Sequence, residues 1–213
     1  MPSGTKSNDE RSFKMAINLV KPPIKETVGA MYVCFANDTN GEYNGTYETN
    51  VEKSEVVKSV SVAENVDQAD VFASGKTYDT ASKTTYTDIS TDVIAFSEDT
   101  RAKMRGDTFD PTTGLVLSGS GERPYFAYGK VVKYKGDKYR YEWFPKCKLV
   151  ENSDEAATSE ESFSEQTDSL TIRAYPFDDA GNIKSMLTYE KMPEGMTEDK
   201  FFAKPVLTAA DLT

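Results

Sequence analysis

Few residues in this chain could do chemistry. Histidine is absent, which removes the usual general base near neutral pH, every Ser/His/Asp or Cys/His nucleophile arrangement, and the commonest ligand for zinc and iron. Cys34 and Cys147 are the two cysteines, too few for a structural zinc site. They read as thiols of a reducing compartment, with one long-range disulfide as the lesser alternative. Gly119-Ser120-Gly121 opens like a dinucleotide fingerprint, but Pro124 stands where the third glycine belongs and no helical pattern follows, so it reads as a turn. Gly129-Lys130 lacks the P-loop spacing and its Ser or Thr. Asp178 and Asp179 could serve as an acid/base pair or hold calcium, yet no alternating ligand series or terminal Glu follows, which favours a solvated turn. No catalytic residue, cofactor or metal is expected, and an enzyme is not.

The elements around these residues are mostly strands. Asn40-Gly41 and Asn44-Gly45 are strong two-residue turn signals. Strand candidates are Val28 to Ala36, Glu55 to Ala63, Val71 to Tyr78, Thr84 to Phe96, Leu115 to Leu117, Tyr125 to Lys135, Lys138 to Phe144, Ser169 to Tyr175 and Ile183 to Tyr189. Their spacing predicts a mainly β fold, a sandwich or barrel. One helix is expected over 97–105, capped by Ser97, with Glu98 and Asp99 at its positive end, Lys103 and Arg105 near its negative end, and Gly106 as the left-handed stop. Its thin apolar stripe, Ala102 and Met104, places it on the flank of the sheets. A second short helix is expected over Glu198 to Ala203. The organisation read from this is a flexible arm over 1–26, a β-sandwich domain over 27–197 and a C-terminal arm over 198–213.

The 213 residues carry a net charge of −10, so the whole-molecule field repels nucleic-acid backbone and nonspecific duplex binding is not the expected role. The first ten residues lack the basic start and apolar stretch of a secretory signal. The longest apolar run, Ala30 to Ala36, falls far short of the roughly 20 residues that span a bilayer. The expectation is a cytosolic chain with no membrane partner, in which the sequons at Asn37 and Asn44 are incidental.

The segment from Pro124 to Lys146 is rich in aromatic and basic residues. With Gly136-Asp137 as a two-residue hairpin tip, Tyr134 faces Tyr139, Val132 faces Tyr141 and Lys130 faces Trp143 on one side. Lys135 then faces Lys138, and Lys133 faces Arg140, on the other. This predicts one aromatic face, mainly core, and one basic face. That basic face either guards an edge or seeks an acidic partner. Glu151 to Asp168 supplies acids, among them Glu151, Asp154, Glu155, Glu160 and Glu161, without a Lys or Arg. Copies could therefore meet head to tail, a heterologous contact that closes into rings or extends into filaments. Phe201 and Phe202 are either late core or an arm anchor buried in a neighbour.

Three stretches taken together resemble one family. ADVFASGKTYD (69–79), SEDTRAKMRG leading into DTFDPTTGLVL (97–117), and the PYFAYG…YKGDKYRYEWFPKCKL hairpin (124–149) are similar in order and spacing to the major tail protein of long, non-contractile-tailed bacteriophages of Gram-positive hosts. The resemblance spans roughly residues 27–190 and lies in the combination of the stretches. It implies a structural virion protein, a β-sandwich with a flanking helix. Six copies would form a ring whose inner strands close a continuous barrel, and rings would stack into a tail tube. The implied partners are other copies, a tape-measure protein, and tail terminator and distal tail proteins. Double-stranded DNA would pass through without specific binding. The implied location is the virion tail, after assembly in the host cytoplasm. Ser7 to Thr27, the Asn37 to Asn50 loop and Glu198 to Thr213 are the expected inter-subunit arms. The rival reading is a carbohydrate-binding or decoration sandwich in which Tyr125, Tyr128 and Trp143 stack on sugar.

Overall fold

The computed structural model describes residues 19–38, 41–110, 112–119, 121–153 and 167–212. Asn40, Ser120, the expected N-terminal arm up to residue 18, and Asp154, Glu155, Glu160 and Glu161 lie outside them. The described chain is mainly β, as expected, with ten strands and two short helices. The strands are β1 (Lys25–Phe35), β2 (Glu52–Ser54), β3 (Val57–Ala73), β4 (Lys76–Val93), β5 (Thr108–Phe109), β6 (Val116–Leu117), β7 (Phe126–Tyr134), β8 (Lys138–Ser153), β9 (Asp168–Ala174) and β10 (Ser185–Thr188). Helix α1 (Glu98–Arg105) follows β4, and α2 (Glu198–Phe201) precedes a 3₁₀ turn at Ala209–Leu212.

One antiparallel sheet runs β2-β1-β7-β8-β9-β4-β3, and β5 pairs with β6 as a separate flap. Strand β8 is long enough to hold β7 on one side while its other side pairs with β10 over Arg140 to Trp143 and with β9 over Cys147 to Ser153. The sheet curls until β3 lies alongside β1 without ladder bonds between them. Met31, Val33, Phe35, Ile89, Val93, Phe126, Tyr128, Phe144, Leu149, Leu170 and Ile172 fill the concavity, and Met104 of α1 plugs into the same cluster.

Alternation explains which side chains enter. Successive strand residues point to opposite faces, so along β1 Met31, Val33 and Phe35 turn into the concavity while Ala30, Tyr32 and Cys34 join a second cluster on the far face. That far face is covered by the chain after β10: Phe201, Phe202 and Val206 are buried against Tyr141, Trp143 and Val131. The run 30–36 is thus buried on both sides, which is why it reads as continuously apolar. The two free cysteines fall in different clusters, Cys34 on the far face and Cys147 in the concavity. The disulfide alternative is therefore excluded.

Pro145 marks the irregularity within β8. Phe144 pairs with Tyr128 and Cys147 with Phe126, so Pro145 and Lys146 stand opposite the single Ala127. A proline, which has no N–H to give the ladder, is tolerated at such a bulge. The extra residue keeps both Phe144 and Cys147 on the concave face.

Helix α1 forms as its sequence dictates. Ser97 accepts from the Thr100 N–H, and Gly106, at φ 74°, closes the C-terminus through bonds to the Ala102 and Lys103 carbonyls.

The far-face cluster centres on Phe202. Its ring stacks on Tyr32 with centroids 3.9 Å apart, contacts Trp143 at 5.2 Å, and meets Phe201 edge-on at 5.0 Å. Trp143 Nε1 donates to the Phe201 carbonyl at 3.2 Å, which fastens the C-terminal segment to the sheet. Room for the ring comes from Gly129, where an added Cβ would stand 2.7 Å from Phe202 Cε1. Gly129→Ala should cost about 1–3 kcal/mol by overpacking, and Phe202→Ala about 3–5 kcal/mol. Both should appear as lowered urea midpoints with unchanged slope, and midpoints like the parent's would refute this packing.

Candidate assembly surfaces

The β7–β8 hairpin corrects the expected pairing. Its turn has three residues, Lys135, Gly136 and Asp137, the last two at positive φ. Tyr134 therefore pairs with Lys138, Lys133 with Tyr139, Val132 with Arg140, Lys130 with Glu142 and Gly129 with Trp143. A one-residue difference in turn length exchanges the faces of one strand relative to the other, so the basic face does not form. Three of its four cations have partners within the chain instead. Lys133 Nζ lies 3.5 Å from Asp137, Arg140 Nε 2.8 Å from Glu142, and Lys138 Nζ 5.0 Å from the centroid of the Tyr189 ring. Lys135 and Lys138 stay exposed at the turn, and Glu151 is an exposed residue of β8.

The same pairing buries charge at one end of the concavity. Lys130 and Glu142, 7% and 3% exposed, are 3.0 Å apart, and Arg140 shares the carboxylate. Burial pushes the Lys130 ammonium below the usual lysine range, and Glu142 opposes that shift. The sequence reading paired Lys130 with Trp143 and so missed this cluster; a lysine and a glutamate on adjacent strands beside Tyr128 and Phe144 were the available signal.

The other expected sites resolve as follows. Phe201 and Phe202, each 2% exposed, lie in this chain's own core. Tyr128 and Trp143 are fully buried, so two of the three rings of the sugar-binding alternative cannot stack on a ligand. Asp178 accepts from the N–H and the side-chain amide of Asn182, a turn contact that holds its carboxyl below the usual range.

Most of the exposed surface that attracts attention was not anticipated. Val71 to Tyr78 was expected to be one strand; instead the chain turns inside it, at Ser74 and Gly75, both at positive φ. Positive φ at both central residues is the hairpin turn that a Ser-Gly pair can supply. Strands β3 and β4 thus form a long ribbon whose residues 63–83 are all exposed. Where the ribbon leaves the body, Lys184 meets Glu64 at 3.5 Å. Opposite pairs in its middle part are Asp67 with Lys83, Ala69 with Ala81 and Asp70 with Thr80, each small or polar. The outer edge of β3 has no strand partner among the described residues.

Nearer the body the sheet has one polar face. Asp92 accepts from Ser59 at 2.6 Å and from Ser169 at 2.7 Å, contacts that hold its carboxyl low. Arg173 makes a two-point ion pair with Asp88, at 2.7 and 3.0 Å.

The described chain is thus a curled antiparallel sheet with a long open edge and a ribbon exposed on both faces. The phage tail tube protein family matches residues 42–208, and the chain belongs to it. Among solved structures, a chain of the anti-feeding prophage baseplate is similar at 10% identity and a TM-score of 0.42, over 81% of this chain and 99% of that one. No curated protein matches the sequence.

Glu142→Gln should destabilise the fold by about 3–5 kcal/mol, because it leaves a buried ammonium without its counter-charge. The folded state then binds fewer protons at Lys130 than the unfolded chain does, so the variant's stability should recover as pH rises toward the ordinary lysine value of 10.5. Urea melts across alkaline pH check this, and recovery that persists with Lys130→Met added would assign it to another group.

Proposed function

We propose that this chain is the repeating subunit of a phage tail tube, and that its copies join side by side into rings that stack along one axis. Membership of the tail tube family supports a structural role in the tail. The observation that carries the assembly reading is the ribbon of residues 63–83, exposed on both faces. A two-stranded hairpin is marginal in water without a layer on either face, and an open edge as long as that of β3 invites pairing with another chain. Neighbouring copies supply both.

Six copies to a ring, a long non-contractile tail, a tape-measure protein in the tube and terminator and distal proteins at its ends extend this reading, as does assembly in the host cytoplasm before incorporation in the virion. Each subunit carries −10, so a ring of six would repel phosphate and let DNA pass without counterion-release binding. The face of Ser59, Ser61, Asp92 and Ser169, beside the paired Asp88 and Arg173, suits the lumen, being mostly small and hydroxylated, with Asp92 as its acid. The exposed turn cations Lys135 and Lys138 are the salt-sensitive part of the assembly, reaching acids of a neighbour. Charge reversal at both should shift the salt dependence of sedimentation, and an unchanged profile would remove them from the contact.

Replacing residues 64–83 by a two-residue turn should leave a folded body with the parent's far-ultraviolet dichroism that no longer forms rings or tubes at concentrations where the full chain does. Negative-stain microscopy and sedimentation provide the readout. Tubes formed by the shortened chain would overturn the reading.

A further inference from the structure

The far end of the ribbon carries side chains that the rest of its surface does not lead one to expect. Val71, Phe72 and Tyr78 are 51%, 69% and 80% exposed. Val71 pairs with Asp79 and Phe72 with Thr77, so Tyr78 is the extra residue of a bulge, a device that re-aims a side chain out of the regular ladder. Between the two rings in sequence stands Lys76, which makes no ion pair among the described residues. This apolar tip with its one cation is exposed, and no ion pair or ring contact holds it among the described residues.

Elsewhere on the molecule lies a groove of matching character. It runs between α1 and the β5–β6 flap, is lined by Asp99, Ala102, Lys103, Asp107 and Phe109, and encloses about 300 Å³. Phe109 is 52% exposed at its wall. The base is firmly built: Arg105 Nη2 lies 2.7 Å from Asp107, and Ser118 donates to the same carboxylate at 2.8 Å. Lys103 is neutralised by Glu48 at 2.7 Å. With Asp107 and Lys103 both paired, Asp99 is the groove charge that makes no ion pair among the described residues, and it is exposed. A second apolar groove, beside Met186, Phe201 and Leu212, has no charged residue in its lining and offers nothing to Lys76.

We infer that the ribbon tip of one copy seats in the α1–flap groove of a second copy, with Phe72 and Tyr78 against Ala102 and Phe109 and Lys76 against Asp99. This rests on the tube reading and names the receiving surface within it. Patch and groove lie at different places on one subunit, so the contact is heterologous and each copy both gives and receives. Such contacts propagate rather than terminating at a pair.

The test pairs cross-linking with charge exchange in the full-length chain. Phe72→Cys and Phe109→Cys together, oxidised with copper–phenanthroline under assembly conditions, should give a ladder of covalent oligomers on non-reducing gels. Each single variant should not, because Cys34 and Cys147 are buried. Lys76→Glu should raise the concentration needed for assembly about tenfold, as for loss of one central contact. Asp99→Lys should do the same, and the two together should restore the parent's behaviour. Parent tubes in which the cysteine pair fails to cross-link, or an Asp99→Lys chain that assembles like the parent, would overturn the docking and leave the tube reading standing. A parent chain that never assembles would overturn both.

Discussion

The fold depends on one sheet being buried on both faces along β1, β7 and the first half of β8. Hydrophobic burial on the concave side is supplied by the curl of the sheet itself. The far side has no second sheet over it among the described residues and relies on the C-terminal segment, held by the Phe202 ring over Gly129 and by the Trp143 hydrogen bond to the Phe201 carbonyl. A Cβ at residue 129 would stand 2.7 Å from that ring and force it to shift within the cluster. The rest follows from the same arrangement: β9, β4 and β3 extend the sheet beyond the covered region, where their outer face turns polar.

The sequence disclosed elements more faithfully than pairings. Helix α1 was legible because capping, charge order and the terminal glycine all act locally within ten residues. β1 was legible as an apolar run, although only the structure explains why its two faces are equally apolar. The β7–β8 register was misjudged because it turns on whether Lys135 belongs to the strand or to the turn, a choice of one residue that propensities do not decide. The β3–β4 ribbon was missed for a different reason. Residues 63–83 scatter Val66, Val71, Phe72 and Tyr78 among Ala, Asp, Thr and Ser without a sustained alternation, because neither face packs on anything among the described residues, so the periodicity that reveals a half-buried strand is absent.

Charge in this molecule is organised locally. Of the cations expected to form a patch, Lys133 and Arg140 are engaged with nearby carboxylates and Lys138 with a ring, and the Lys130, Glu142 and Arg140 cluster closes one end of the concavity with ion pairs where hydrophobic side chains stop. Such a cluster contributes little net stability. It does penalise a slipped β7–β8 register, which would separate Lys130 from Glu142 and place a charged group against Trp143.

The cysteines have a consequence of another kind. Cys34 and Cys147 face opposite sides of the sheet, and burial pushes the Cys34 thiol up to about 11 and the Cys147 thiol higher still. Both are therefore held as unreactive thiols, and the backbone between them prevents their meeting. The chain consequently carries the same free thiols in reducing and in oxidising surroundings, and a particle built from it would cross from one to the other with no internal disulfide made or broken.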